Sequence, residues 1–211
     1  MHSVIRDPLS LDEYQFRMTT FLRTLDIGKK RHLCISSENL AGLIPGRSGK
    51  ENYAGCPDLM AATKGALREV FGPDLSITFY LSTRDPQSWL RSSYWQNLRA
   101  SDLKMDFDTY ADIFKNAADF GPILAETQAA LGDTPLLTMP MEETLTMEFG
   151  PATPLIDLFG LPAQTRNALS APEMKNLSPD AAIIAQILAL NRSGLDADTR
   201  DARKKALLAD R

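Results

Sequence analysis

The stretch Ile77-Thr78-Phe79-Tyr80-Leu81-Ser82-Thr83-Arg84-Asp85-Pro86-Gln87-Ser88-Trp89-Leu90-Arg91-Ser92-Ser93-Tyr94 decides how this chain is read. Its first half completes an alternating, β-rich run over residues 75–83, which predicts a strand. Asp85 followed by Pro86 is a helix start. The carboxylate caps a free N–H group, and proline suits the first helical position because its φ is already set. The helix is expected to continue to about Ala100. Arg84 therefore stands at a strand end, just before a helix N-terminus. A guanidinium fork beside unpaired N–H donors, at the positive end of a helix, suits a phosphate group. Ser92 lies eight residues past Arg84, two turns up the helix, with Ser93 beside it. From Arg84 to Arg99 there are three arginines and one acid, so the segment is locally positive. Arg84 also has a plainer alternative, pairing with Asp85 or another surface acid.

Outward from this stretch, helices and strands alternate. Ser10-Leu11-Asp12-Glu13 reads as a capping box, and Tyr14, Met18, Phe21, Leu22 and Leu25 recur at helical spacing, with Gly28 as the stop. Leu33-Cys34-Ile35-Ser36 reads as a short apolar strand, which makes Cys34 a small buried hydrophobe. Residues 42–57 hold four glycines and two prolines and read as an irregular loop. Helices are expected over 58–71, 107–118, 122–131 and 154–159, and a strand over 135–139. Ser178-Pro179-Asp180 opens a further helix through Asn191, and the charged tail 196–211 reads as a peripheral helix.

Strands separated by helices imply βαβ connectivity and the α/β class. The expected architecture is a three-layer α/β/α domain with a mostly parallel sheet made of 33–36, 75–83 and 135–139. The most apolar strand, 75–83, should be interior. One domain is expected over 1–211, with its core in 33–191. Ligands gather at the carboxyl ends of strands in such sheets. Here those ends carry Ser36-Ser37-Glu38, Thr83-Arg84-Asp85 and Met139-Pro140-Met141-Glu142.

Composition narrows the function. In 211 residues, 44% are hydrophobic and 24% charged, the balance of a globular protein. The formal charge of −4, from 23 basic and 27 acidic residues, gives no global field for nucleic acid or an anionic membrane. No membrane-length apolar run or export signal is read, so a soluble, cytoplasmic protein is expected. The two histidines, His2 and His32, and two cysteines, Cys34 and Cys56, form no motif for a zinc site or a Ser-His-Asp triad. Gly46-Arg47-Ser48-Gly49-Lys50 imitates a P-loop, yet Ile44 stands where the motif needs glycine and Glu51 where it needs a hydroxyl. This weakens a P-loop kinase reading.

Strand, then Arg84-Asp85-Pro86, then a helix with Ser92 and Tyr94, resembles the 3′-phosphate-binding motif of sulfotransferases. The resemblance implies that Arg84 and Ser92 hold the 3′-phosphate of 3′-phosphoadenosine 5′-phosphosulfate (PAPS), with Ser93 as the second choice of serine. Three more stretches fit in order. Residues 34–39 are similar to the family's strand ending in Ser-Glu, and residues 136–143 to its later strand ending in an acid. Leu155–Leu161, with the segment around Lys175-Asn176-Leu177-Ser178 and the helix to Asn191, is similar to its C-terminal part. The match covers roughly residues 33–191.

The resemblance implies a P-loop-NTPase-like fold and sulfuryl transfer from PAPS to a hydroxyl or amine, as on a small molecule or glycan, without a metal. Glu38 is then the candidate general base that takes the acceptor proton; its other reading is a strand-end acid capping the next turn. Glu142 and Glu143 read as solvated, Trp89 as core or nucleotide border, and Lys175 as solvent or phosphate contact. The family's N-terminal strand–loop–helix for the 5′-phosphosulfate finds no counterpart before Leu33. The chain therefore reads as N-terminally incomplete, and an inactive 3′-phosphonucleotide-binding relative or truncated fragment is the alternative function.

Overall fold

A computed structural model of the chain describes residues 10–30, 32–47, 49–170 and 180–209. Its elements, in order, are α1 (Leu11–Arg23), α2 (Cys56–Phe71), β1 (Phe79–Thr83), α3 (Pro86–Ala100), α4 (Phe107–Phe114), α5 (Gly121–Leu131), β2 (Leu136–Pro140), α6 (Met141–Thr144), α7 (Thr153–Phe159), α8 (Ala163–Asn167), α9 (Ala181–Arg192) and α10 (Ala197–Ala209). The chain is an α/β protein, helix-rich, with a parallel strand pair. Among the described residues no helix is long and apolar enough to cross a membrane.

The described residues fall into two compact units. The first draws on the described residues within Met1–Ile44, Asn52–Thr83 and Phe120–Ala171; the second on those within Pro45–Glu51, Arg84–Asp119 and Pro172–Arg211.

In the first unit β1 and β2 run parallel, in a register that pairs Phe79 with Leu136 and Thr83 with Pro140. Alternate residues of a strand share a face. Phe79, Leu81 and Leu136 pack on buried Cys56 and Met60 of α2 and Leu131 of α5. Burial pushes the Cys56 thiol above its ordinary range, against a hydrogen bond from Thr127. Gln128 fastens α5 to the strand that follows. Its Nε2 donates to the carbonyls of Gly132 (2.8 Å) and Thr134 (3.1 Å), and its Oε1 accepts from the Leu136 N–H at 3.1 Å. Helix α1 starts as its sequence predicts, with Ser10 Oγ accepting from the Glu13 N–H at 3.1 Å. It packs on α2, with Leu22 fully buried and a 2.8 Å bond between the Tyr14 and Thr63 hydroxyls.

Three expectations about strands and burial need correction. Residues 33–36 form no strand; Cys34 is exposed rather than buried, and Leu33 is 41% exposed. Three apolar residues carry strand propensity, but a strand persists only with a ladder partner to satisfy its backbone. Residues 75–78 are irregular, so β1 is five residues long. It pairs with β2 alone among the described residues, where no third strand flanks it.

The second unit is built around α3. Its buried side presents Trp89, Leu90, Ser93, Tyr94, Asn97 and Leu98. Tyr94 meets the rings of Phe107 and Tyr110 edge-on, with centroids 5.6 and 5.3 Å apart, and its hydroxyl donates to the Met105 carbonyl at 3.2 Å. A helix leaves its last carbonyls without partners. Here Asn191 Nδ2 donates to the carbonyls of Leu98 (3.0 Å) and Leu103 (2.8 Å), and Lys204 Nζ to those of Leu98 (3.1 Å) and Ser101 (2.5 Å). The charged C-terminal helix thus carries a residue that closes the end of α3. Helix α9 is capped by Asp180, whose carboxylate accepts from the Ala182 N–H at 2.8 Å. Ser178 and Pro179, also read as part of that start, lie outside the described residues.

Candidate anion site at the start of α3

Arg84 follows the last residue of β1 and is half-buried. Asp85 is the N-cap of α3, as expected. Its backbone is extended (φ −51°, ψ 133°), its Oδ1 accepts from the Ser88 N–H at 2.9 Å, and Pro86 takes the first turn. The first intrahelical bond runs from the Trp89 N–H to the Asp85 carbonyl at 2.8 Å.

Helical spacing separates the two serines. Positions three, four and seven apart share a face, so Asp85, Ser88 and Ser92 line one side of the first two turns. Ser88 and Ser92 are half-buried there. Ser93 points the other way. It is 1% exposed, and its hydroxyl donates to the Leu90 carbonyl at 3.1 Å. The accessible serine on the capped face is Ser92. An arginine, a helix N-terminus and a hydroxyl are group types that receive a phosphate or sulfate, through charge and directed donors. On the flank of the same helix, the Arg91 guanidinium lies 5.0 Å from the Phe107 ring centroid.

The remaining sequence-derived candidates are spread over both units. Glu38 belongs to the first unit, in an exposed turn where the Asn39 N–H donates to Ser37 Oγ at 3.3 Å; no strand ends beneath it. Glu142 and Glu143 are exposed in the first turn of α6. Trp89 is 8% exposed and belongs to the buried side of α3. Lys175 and His2 lie outside the described residues, and His32 meets the Phe159 ring edge-on at 6.0 Å.

Sequence reasoning missed a polar cluster in the second unit. Asn97 and Tyr110 are both 0% exposed. Asn97 Nδ2 donates to the Pro45 carbonyl at 2.8 Å and the Tyr110 hydroxyl at 2.9 Å, while its Oδ1 accepts from Arg47 Nε at 3.2 Å. Burial holds the Tyr110 hydroxyl above its ordinary range, opposed by hydrogen bonds with Ser93 and Asn97 and by the charge of Arg47. The signal was the Gly46–Lys50 run, set aside because it fails as a P-loop. The structure agrees on that point, since α2 begins only at Cys56. What the run does instead is dock on α3. No protein-family model, curated protein or solved structure matches the chain, so its functional assignment rests on its own residues and their geometry.

Proposed function

We propose that the chain is a sulfotransferase-like protein that holds the 3′-phosphate of PAPS at the start of α3 through Arg84 and Ser92. In this reading the β1–β2 pair belongs to a three-layer, P-loop-like sheet. PAPS supplies the sulfuryl group, and the acceptor is a hydroxyl or amine. The observation that carries the reading is the order strand, Arg84, capped helix start, with Ser92 accessible on the capped face. Ser93, occupied with the Leu90 carbonyl, is left out of the nucleotide site.

Calorimetry with adenosine 3′,5′-bisphosphate and with adenosine 5′-monophosphate tests it. A charge-assisted contact contributes about 1.5–3 kcal/mol, so the 3′-phosphate should improve affinity about 10- to 150-fold. Arg84→Ala should erase that difference, Ser92→Ala should reduce it, and Ser93→Ala should leave it unchanged. Equal affinities for the two nucleotides in the unaltered chain would remove the assignment. Glu38 is the base in this reading: Glu38→Gln should abolish transfer of labelled sulfate while nucleotide affinity stays the same. A binding-only reading has one observation in its favour, the position of Glu38 in an exposed turn. Nucleotide discrimination without any transfer would select it.

A further inference from the structure

We propose that the Pro45–Glu51 loop is a second oxyanion-binding element, with Arg47 and Lys50 as its cations and Asn97 as the residue that positions Arg47. It would take a carboxylate, sulfate or phosphate group. The inference does not rest on the Arg84 and Ser92 assignment.

The described residues on either side of Ser48 are fastened without a ligand. The Gly46 N–H donates to the Lys50 carbonyl at 2.7 Å, and the Lys50 N–H to the Arg47 carbonyl at 2.9 Å, so the turn closes on itself. Gly46 has φ +91°, and a Cβ there would lie 2.7 Å from Asn97 Nδ2, so only glycine permits the approach to α3. Asn97 then holds the loop through the Pro45 carbonyl and holds Arg47 through Nε. An arginine held in place in advance spares a ligand part of the entropy of ordering it.

Arg47 is the reason to expect an anion. It is half-buried, and among the described residues it has no carboxylate partner. Its contacts are the neutral Asn97 Oδ1 at 3.2 Å and the Gln96 carbonyl at 3.4 Å, both long for a guanidinium. A half-buried charge held only by neutral acceptors is poorly compensated, and an oxyanion offers shorter, charge-assisted bonds. Asn97 ties down Nε and Nη2 makes only the 3.4 Å contact with the Gln96 carbonyl, which leaves Nη1 to turn to a ligand. Lys50 is exposed, three residues along in the same closed turn, and adds a second, mobile charge.

The test is a residue-resolved amide NMR titration of the full chain with inorganic sulfate, repeated with a disaccharide carrying a uronic acid carboxylate. Sulfate should shift the Gly49 and Lys50 amides in the unaltered protein and equally in Arg84→Ala. Arg47→Gln should weaken that response about tenfold or more, and Lys50→Ala should weaken it less. Asn97→Ala should also weaken it with Arg47 intact, and trypsin should then cut after Arg47 faster. Tyr110→Phe, which keeps the ring and removes one bond to Asn97, should do the same in milder form should the alanine variant fold poorly. Tighter binding of the disaccharide would support an anionic substituent of a larger ligand, and tighter binding of sulfate a free anion. Shifts lost in Arg84→Ala, shifts indifferent to both Arg47→Gln and Lys50→Ala, or no response to either probe would overturn the proposal. Loss of 3′-phosphate discrimination in Arg84→Ala bears only on the nucleotide site, so the two readings fail separately.

Discussion

Lys204 places an ammonium where only 3% of the residue is exposed, and directs it at two backbone carbonyls at the end of α3. Burial lowers its pKa from 10.5, helped by the positive charge of Arg200; the carboxylates of Asp201 and Asp102 oppose the shift. A base whose folded pKa is depressed binds fewer protons in the native state. Its contribution to stability is therefore present above 10.5 and lost as pH falls through the lowered value. Urea unfolding from neutral pH upward should show the unaltered protein gaining stability relative to Lys204→Met. The comparison between the two proteins matters, because Tyr80, Tyr94 and Tyr110 have raised pKa values and pull the other way at alkaline pH. Parallel pH profiles would show that Lys204 carries no proton linkage. The variant should also be less stable at every pH, since it leaves the Leu98 and Ser101 carbonyls without the amine.

At the scale of the element, α3 separates stability from binding. Asp85 caps the helix and carries a negative charge beside the proposed phosphate, whereas Arg84 precedes the cap. Asp85→Ala should cost about 1 kcal/mol of stability, the usual effect of losing an N-cap. It should leave the preference for a 3′-phosphorylated nucleotide intact or stronger, because a like charge is removed from the anion's surroundings. Arg84→Ala should remove that preference. Thermal unfolding and calorimetry on both variants check this, and a weaker 3′-phosphate preference in Asp85→Ala would contradict it. Helix starts such as Ser10 and Asp85 were readable because a cap is made within three residues of itself. The strand at 33–36 was misread for the opposite reason. Its apolar residues are local, but the ladder that would hold them is not.

For the whole molecule, the first unit depends on the packing of α2 and α5 against the strand pair. Met60, 2% exposed between Cys56 and Leu131, sits in that contact. Met60→Ala should cost about 2–5 kcal/mol, read as a lower urea midpoint by circular dichroism with the slope unchanged. A loss below about 1 kcal/mol would mean that the core closes over the gap.

Much of this protein was determined by its sequence alone: where α1 and α3 begin, that β1 and β2 alternate with helices, and that Arg84 stands between a strand and a capped helix. Those features depend on bonds between residues a few positions apart. Tertiary structure alone decided that Ser92 and not Ser93 is accessible, and that Cys34 lies in the open. It also decided that a failed P-loop docks on Asn97, and that a lysine from the tail closes α3. Asn97 reaches back 52 residues to Pro45, and Lys204 reaches back 106 to Leu98. Burial and partnership across such separations are set by packing, and no local pattern of residues encodes which distant groups will arrive.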